Sequence, residues 1–427
     1  MIDLEAEQNQ KTIAFLVGKT DGPLSPDAAE LAELRGLVDT LGMEISGQIV
    51  LKKPEPQAKF GIGTGKAAEI ADAAEAAGAD VIIFDYELSP THQRNWEKLS
   101  GKPCFDRHEV ILRIFADRAQ TKEAVLQVEL AKLGYSLPRL AHTYGDMSRQ
   151  RGGSYGSKGS GETKLELDRR AVQEKMYKIR RELEKVVKER ETLRKKRDKV
   201  PLPSCALVGY TNAGKSSLLN ALTGADAFVE DKLFATLDPT TRRLSVQGLP
   251  GILLTDTVGF ISNLPHSLVD AFKSTLEEAV RADLLLIVLD ATDPAVFFQY
   301  DTVISVLKEI GADKNPALIL LNKMDKVTDR QLLQDLHRQF PEAVEVSAKL
   351  GGTLESGFDG LIQRIADTLL GEETEYHIPL NRNDLVEMAR KNGVLITSEW
   401  RDNDIIVVAR CTGQTRGLLE QYKKEMV

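Results

Sequence analysis

The sequence is short of cysteine, of long apolar runs and of charge of a single sign, and each shortage excludes a class of protein. Three cysteines occur in 427 residues, at Cys104, Cys205 and Cys411. They lie far apart, form no CxxC pair and match no zinc spacing, which argues against a disulfide framework and a structural metal. The longest apolar stretch, Leu284 to Leu289, falls well short of the ~20 residues that span a bilayer. The N-terminus carries Asp3, Glu5 and Glu7 and no run of signal-peptide type. A cytoplasmic protein without a transmembrane segment is expected, with peripheral membrane association left open. Sixty-four acids against 56 bases give a net charge of −8, so the chain is no uniformly basic nucleic-acid coat.

What is present is unevenly spread. Hydrophobic residues make up 42% and charged residues 28%, so every segment can bury a core, and the length fits two to four domains. Between Arg151 and Lys199, 17 bases stand against 9 acids. That local excess on an acidic body marks one polyanion-facing element. The expected fold class is α/β, in four segments. Residues 1–106 are expected to form a parallel α/β domain, 107–199 a long helical hairpin, 200–371 a second and larger α/β domain, and 372–427 a small α/β domain.

In the first segment, strands are expected at Ile13–Val17, Glu44–Leu51 and Val81–Phe84, and helices at Pro26–Leu41 and Lys66–Ala77. Its run Gly61-Ile62-Gly63-Thr64-Gly65-Lys66 is glycine-rich, but the phosphate-loop spacing fails. Phe60 stands five before Gly65, and Ala67 follows Lys66 where Ser or Thr is needed, so a strand-to-helix turn is the better reading. One long helix is expected from Asp106 to Gly134, with Leu112, Ala119, Leu126 and Leu133 recurring every seventh residue. A second is expected from Glu162 to Lys199, with Leu165, Val172, Ile179, Val186 and Leu193 at the same period. Two such stripes predict an antiparallel hairpin.

Tyr135 to Gly161, between these helices, is longer than an ordinary helix connection. It holds Arg139, Arg149, Arg151 and Lys158 against the single acid Asp146, with five glycines from Gly152 to Gly161 and with Tyr144 and Tyr155. An RNA-facing tip, with Arg149, Arg151 and Lys158 on phosphates, is set against a plain disordered linker. The last segment is expected to hold a strand at His377–Leu380, a helix at Asn383–Asn392, a hairpin of Leu395–Trp400 with Ile405–Arg410, and a helix from Thr415.

The clearest chemistry follows the buried strand Cys205–Val208. Gly209-Tyr210-Thr211-Asn212-Ala213-Gly214-Lys215-Ser216 is a GxxxxGK[ST] phosphate loop between a strand and a helix. Its backbone N–H groups can wrap phosphates, Lys215 can reach the β- and γ-phosphates, and the Ser216 hydroxyl can ligate Mg²⁺. Asp256-Thr257-Val258-Gly259 ends a second strand; Asp256 can hold Mg²⁺ through water and the Gly259 N–H can sense the γ-phosphate. Asn322-Lys323-Met324-Asp325 ends a third, and the Asp325 carboxylate can accept two N–H bonds from a guanine edge that adenine does not offer. Asn322 and the Lys323 stem frame the base, and the backbone of Ser347-Ala348-Lys349 can meet the guanine oxygen. Four motifs in this order define a GTP site, so residues 200–371 are expected to be a P-loop GTPase (G) domain.

At this point the chain resembles the translation-factor-related bacterial GTPases and, within them, the HflX family. The likeness rests on Phe234-Ala235-Thr236-Leu237-Asp238-Pro239-Thr240-Thr241-Arg242, on Asp256 through Phe260, and on Ser148–Gln150 with Gly161 through Arg170. The resemblance implies that Phe234–Asp238 lies in switch I and that Thr236 is a second Mg²⁺ ligand. It also implies a monomeric factor that binds GTP and GDP, meets the 23S rRNA of the 50S subunit and splits stalled 70S ribosomes under stress. The family tends to have Arg and Pro where Lys158 and Ser160 stand here.

Lys215, Thr236 and Gly259 are thus the expected catalytic set. Phe260 occupies the place where related enzymes carry a water-positioning Gln, and a phenylalanine makes no such hydrogen bond. Slow intrinsic hydrolysis is expected, at or below ~10⁻⁴ s⁻¹, with the missing group supplied by another residue or by the ribosome. Arg242 and Arg243 are candidates in cis, although a strand role is the simpler reading. Asn212 is a candidate K⁺ ligand, against a plain loop-stabilising amide. Rival functions are a GTPase of ribosome assembly or RNA modification, and a nucleotide-gated RNA-binding scaffold.

Overall fold

The structure is a computed structural model that describes residues 11–20, 31–52, 55–143, 160–197, 202–224, 233–244, 251–262, 276–351 and 357–424. By compactness the chain divides into two units, and the division falls between Val187 and Lys188, inside one helix.

The first unit opens with β1 (Ile13–Thr20), α1 (Ala32–Thr40), β2 (Glu44–Lys52), α2 (Thr64–Ala76), β3 (Val81–Phe84), α3 (Pro90–Ser100) and β4 (Cys104–Asp106). The strands form a parallel sheet in the order β2-β1-β3-β4. Ala14–Val17 and Val81–Phe84 are buried throughout, as strands covered on both faces must be, and this is why they read as continuous apolar runs. The glycine-rich turn at residues 61–66 leads into α2, as the failed spacing predicts. Helix α3 was missing from the expectation, although its signals are local. Ser89 accepts from the His92 N–H, Pro90 opens the helix, and Gly101 closes it with φ 68°. It delivers Trp96 to the core, where Nε1 donates to the Phe60 carbonyl at 3.1 Å.

The single helix expected over residues 106–134 is two helices, α4 (Arg107–Arg118) and α5 (Lys122–Thr143). Ala119 breaks the run with extended backbone (φ −66°, ψ 115°), and the Thr121 hydroxyl caps the next turn by accepting from the Ala124 N–H. The seven-residue stripe runs across this break because α4 buries Val110, Ile111, Leu112, Ile114 and Phe115 in its own unit's core.

Helix α5 also continues through Tyr135 to Thr143, so the expected tip begins later than the composition indicates. Arg139, assigned above to that tip, faces the protein. Its Nε donates to Gln93 Oε1 (2.8 Å) and its Nη2 to the Leu88 carbonyl (2.9 Å). The same Nη2 lies 3.3 Å from the fully buried Asp106, and the guanidinium stacks on Tyr135. A buried carboxylate needs a cation nearby, and Arg139 supplies it. Residues 144–159, with Arg149, Arg151 and Lys158, lie outside the described residues. Helix α6 (Ser160–Arg197) lies beside α5, tied by Lys175 to Glu129 at 2.6 Å. Along its described part Ile179 is buried, with Val172 and Val186 partly covered, which is the striped face the heptads predict.

The second unit contains a six-stranded sheet. Its elements are β5 (Ser204–Gly209), α7 (Lys215–Thr223), β6 (Thr240–Leu244), β7 (Ile252–Asp256), β8 (Leu284–Asp290), α8 (Val296–Ile310), β9 (Ala317–Asn322), α9 (Arg330–Gln339), β10 (Val344–Glu345) and α10 (Gly357–Leu370). The order is β10-β9-β8-β5-β7-β6, parallel except for β6 against β7. β5 sits where the strand order reverses, and ligands of such sheets bind beyond the carboxyl ends of strands at that point. An antiparallel sheet, β11-β13-β12, follows, from β11 (Thr374–Pro379), β12 (Gly393–Trp400) and β13 (Asp404–Cys411), with α11 (Asn383–Asn392) and α12 (Gly413–Leu419). The expected hairpin is thus present and slightly longer. Arg410 and Arg416 cap the end of α10 by donating to the carbonyls of Gly371 and Leu370.

Candidate nucleotide site

The carboxyl end of β5 delivers a loop that only particular residues can form. Gly214 has φ 93°, and a Cβ on it would fall 2.2 Å from Asn322 Nδ2. Such close approach, in a left-handed conformation, selects glycine. Asn322 uses that proximity: its Nδ2 donates to the Ala213 carbonyl (2.8 Å), while its Oδ1 accepts from the Ala348 N–H (3.2 Å). One side chain therefore joins the phosphate loop, the β9 end and the Ser347–Lys349 loop.

Lys215 opens α7 and is 6% exposed. Its ammonium donates to the carbonyls of Gly209 (3.1 Å) and Tyr210 (2.8 Å). Burial pushes its pKa down to about 8, against the pull of the Asp256 carboxylate. Burial likewise raises the Asp256 pKa, opposed by Lys215 and by the Ser216 hydroxyl. Both shifts describe a desolvated pair held ready for further charge. A phosphate brought against Lys215 favours its cation.

Ser216 Oγ donates to Asp256 Oδ2 at 2.6 Å and lies 2.8 Å from Thr236 Oγ1. The three residues expected around Mg²⁺ thus meet, although they come from α7, the segment Phe234–Asp238 and the end of β7. Asp256 Oδ1 is buried with no hydrogen-bond partner, an orphan that a metal-bound water would satisfy. Hydroxyls with one anionic acceptor are hard oxygen donors of the kind Mg²⁺ takes, so the residues fit the ion. Among the described residues no cluster of three His, Cys, Asp or Glu offers a competing metal site.

Around this point lies an open cleft lined by Thr211, Asn212, Gly214–Ser217, Phe234–Thr236, Thr257 and Gly259. Other residues of the expected set act from behind it. The Tyr210 hydroxyl accepts from the Ser262 N–H (2.6 Å), and Leu237 and Val258 are buried. Asp238 does not line the cleft. Phe260 is 2% exposed, its ring is interior, and its backbone pairs with Gly209 and Thr211. Arg242 and Arg243 are exposed in β6 and do not line the cleft either, and Arg243 packs over Gly251.

At the base end, Ser347 Oγ donates to Asp325 Oδ1 (2.7 Å), and Met324 N–H donates to the Val346 carbonyl. Lys323, with φ 63°, pairs with Asp290 Oδ2 at 2.7 Å, and Asp290 Oδ1 accepts from the Thr292 N–H and hydroxyl. Asp290 escaped the sequence reading, although an acid ending the apolar run 284–289 stood at the carboxyl end of its strand, where ligands of such sheets bind.

A doubly wound sheet with a phosphate loop, hydroxyl pair and guanine-type loop is that of a P-loop GTPase. Residues 204–323 match the family described as 50S ribosome-binding GTPase. Residues 28–116 match the GTP-binding GTPase N-terminal family, and 118–197 the GTP-binding GTPase middle region. The chain is 43% identical over 380 residues to the GTPase HflX of Escherichia coli K12, covering 88% of each. It is 41% identical over 422 residues to the GTPase HflX of Caldanaerobacter subterraneus subsp. tengcongensis, covering 98% of this chain and 95% of that one. Among solved structures, a GTP-binding protein from Sulfolobus solfataricus in complex with GDP is 28% identical, covering 84% of this chain and 98% of that one with a TM-score of 0.43. The chain belongs to the HflX family of GTPases. Among the described residues, no helix is long and apolar enough to cross a membrane.

Proposed function

We propose that this GTPase acts on the large ribosomal subunit and separates stalled 70S ribosomes into subunits under stress. The observation that carries this reading is the match of residues 204–323 to the 50S ribosome-binding GTPase family. It is supported by the relatedness to GTPase HflX along nearly the whole chain. The basic segment joining α5 to α6 is the proposed rRNA contact, through Arg149, Arg151 and Lys158. The four-part division at residues 106, 199 and 371 is the proposed domain plan, and the working form is a cytoplasmic monomer.

In the proposed site, Lys215 holds the β- and γ-phosphates and the Gly259 N–H meets the γ-phosphate. Ser216 and Thr236 would ligate Mg²⁺ and Asp256 would hold it through water; the ion would neutralise charge on the phosphate oxygens. Asp325 reads the guanine edge while Asn322 and Lys323 frame it. The interior position of the Phe260 ring is consistent with slow hydrolysis by the free protein and stimulation by the ribosome. Asn212, which lines the cleft with φ 62°, is the proposed ligand for a K⁺ ion.

Light scattering of 70S particles tests the reading. The chain with GTP should lower the signal, and sedimentation should place it on 50S and not 30S particles. Replacing Arg149, Arg151 and Lys158 together with Ala should weaken 50S association and flatten its salt dependence, with GTP affinity unchanged. A wild-type chain that binds no ribosomal particle in any nucleotide state would overturn it.

A further inference from the structure

Phe260 leaves the attacking water without a side-chain partner, and one polar atom at the cleft is itself without one. Thr211 is 6% exposed and lines the cleft, yet its Oγ1 is buried and makes no hydrogen bond within the protein. Buried hydroxyls are nearly always paired, because the desolvated group otherwise loses its bond to water. The Thr211 methyl Cγ2 faces Gly259 and the hydroxyl lies behind it; with no partner to hold that hydroxyl, one staggered turn about χ1 exchanges the two and presents it to a ligand atom.

Its neighbours say which end of the ligand this is. A Cβ on Gly259 would fall 2.8 Å from Thr211 Cα, 2.9 Å from Thr211 Cγ2 and 2.9 Å from Lys215 Nζ. Thr211, Gly259 and the Lys215 ammonium therefore crowd one spot, the γ-phosphate end of the site. Thr211 is also held firmly, since its N–H donates to the Phe260 carbonyl at 2.7 Å. The phenylalanine that stands in the water-positioning place thus fixes, through its backbone, a residue carrying an unclaimed hydroxyl.

We propose that Thr211 is a catalytic residue of GTP hydrolysis. Its hydroxyl accepts a hydrogen bond from the attacking water and donates one to a γ-phosphate oxygen. The water oxygen bonds to the γ-phosphorus, and the bond from that phosphorus to the β–γ bridging oxygen breaks. GDP leaves with the electron pair, and the water's proton goes to the released phosphate. Thr211 keeps its own proton throughout; its part is orientation. This inference rests on GTP hydrolysis itself and not on ribosome action, so it is tested without ribosomes.

Single-turnover hydrolysis by the full chain is compared for Thr211→Val, which keeps the shape and loses the hydroxyl, and Thr211→Ser, which keeps the hydroxyl. The Val variant should hydrolyse GTP at least ~10-fold more slowly, as loss of an oriented hydrogen bond requires. It should still bind a fluorescent GDP analogue within about 3-fold of wild type, and the Ser variant should recover most of the rate. Wild-type hydrolysis by the Val variant overturns the proposal. So does equal slowing of Val and Ser, or loss of GDP binding by both Thr211→Val and Thr211→Ala, because each makes Thr211 a packing residue.

Discussion

Two glycine-rich turns, each with a lysine at the start of a helix, occur in this chain, and they do opposite things. In the turn at residues 61–66, Lys66 points outward to Glu69 at 2.7 Å and is half exposed. A Cβ on Gly65 would meet nothing within 4 Å. In the loop at residues 209–216, Lys215 is buried and folds back on two loop carbonyls, and Gly214 has Asn322 against it. The difference lies in what stands behind the loop. Between β8 and β7, the end of β5 lets Asn322, Asp256 and Gly259 close over the second loop, whereas among the described residues no such ring surrounds the first. Glycine and lysine content alone does not make a phosphate site.

The comparison breaks if the two glycines respond alike. Gly214→Ala should abolish GTP binding, at least ~100-fold by isothermal titration, because both φ 93° and the Asn322 contact forbid the methyl group. Gly65→Ala should leave that affinity unchanged and raise stability slightly, by at most about 1 kcal/mol in a urea titration. Next in size, Lys215→Ala should slow single-turnover hydrolysis on the order of 10²-fold, as expected for a charged group aimed at transferring phosphate.

Asp325→Asn sharpens the picture at the base end. It should lower GTP affinity about 10- to 100-fold, the loss of charge-assisted bonds of ~1.5–3 kcal/mol, and let xanthosine triphosphate compete. Unchanged nucleotide preference in competition binding would remove Asp325 from its role. Smallest of all, Lys66→Ala should leave GTP affinity and hydrolysis at wild-type values, with a stability change within about 1 kcal/mol, as for an exposed ion pair. A larger effect on GTP would reopen the first turn as a ligand site.

Much of the nucleotide site was legible because its motifs are local: a buried strand, a loop of set spacing and a helix start can be read within a dozen residues. The N-terminal parallel sheet was legible for the same reason, since strands buried on both faces show as unbroken apolar runs. Helix α3 was equally local, with Ser89, Pro90 and Gly101 in place, and its omission was a failure to weigh caps. The break at Ala119 was harder, because a seven-residue repeat continues across it while each half serves a different packing surface.

What lay beyond the sequence were the partners that distant segments supply. Arg139 reads as one more base in a basic stretch, and only the packing of α5 against α3 and α4 places Asp106, 33 residues earlier, beside it. Asp290 reads as the end of a strand until the adjacent β9 brings Lys323 within 2.7 Å. Phe260 reads as a missing catalytic group, and tertiary structure decides that its ring turns inward while its carbonyl holds Thr211. Short-range spacing determined the class of chemistry, since the peptide geometry of a phosphate loop is contained in the loop. The assignment of each charge and hydroxyl to structure or to ligand was decided by the fold, because pairing and desolvation depend on atoms that the chain brings together only when packed.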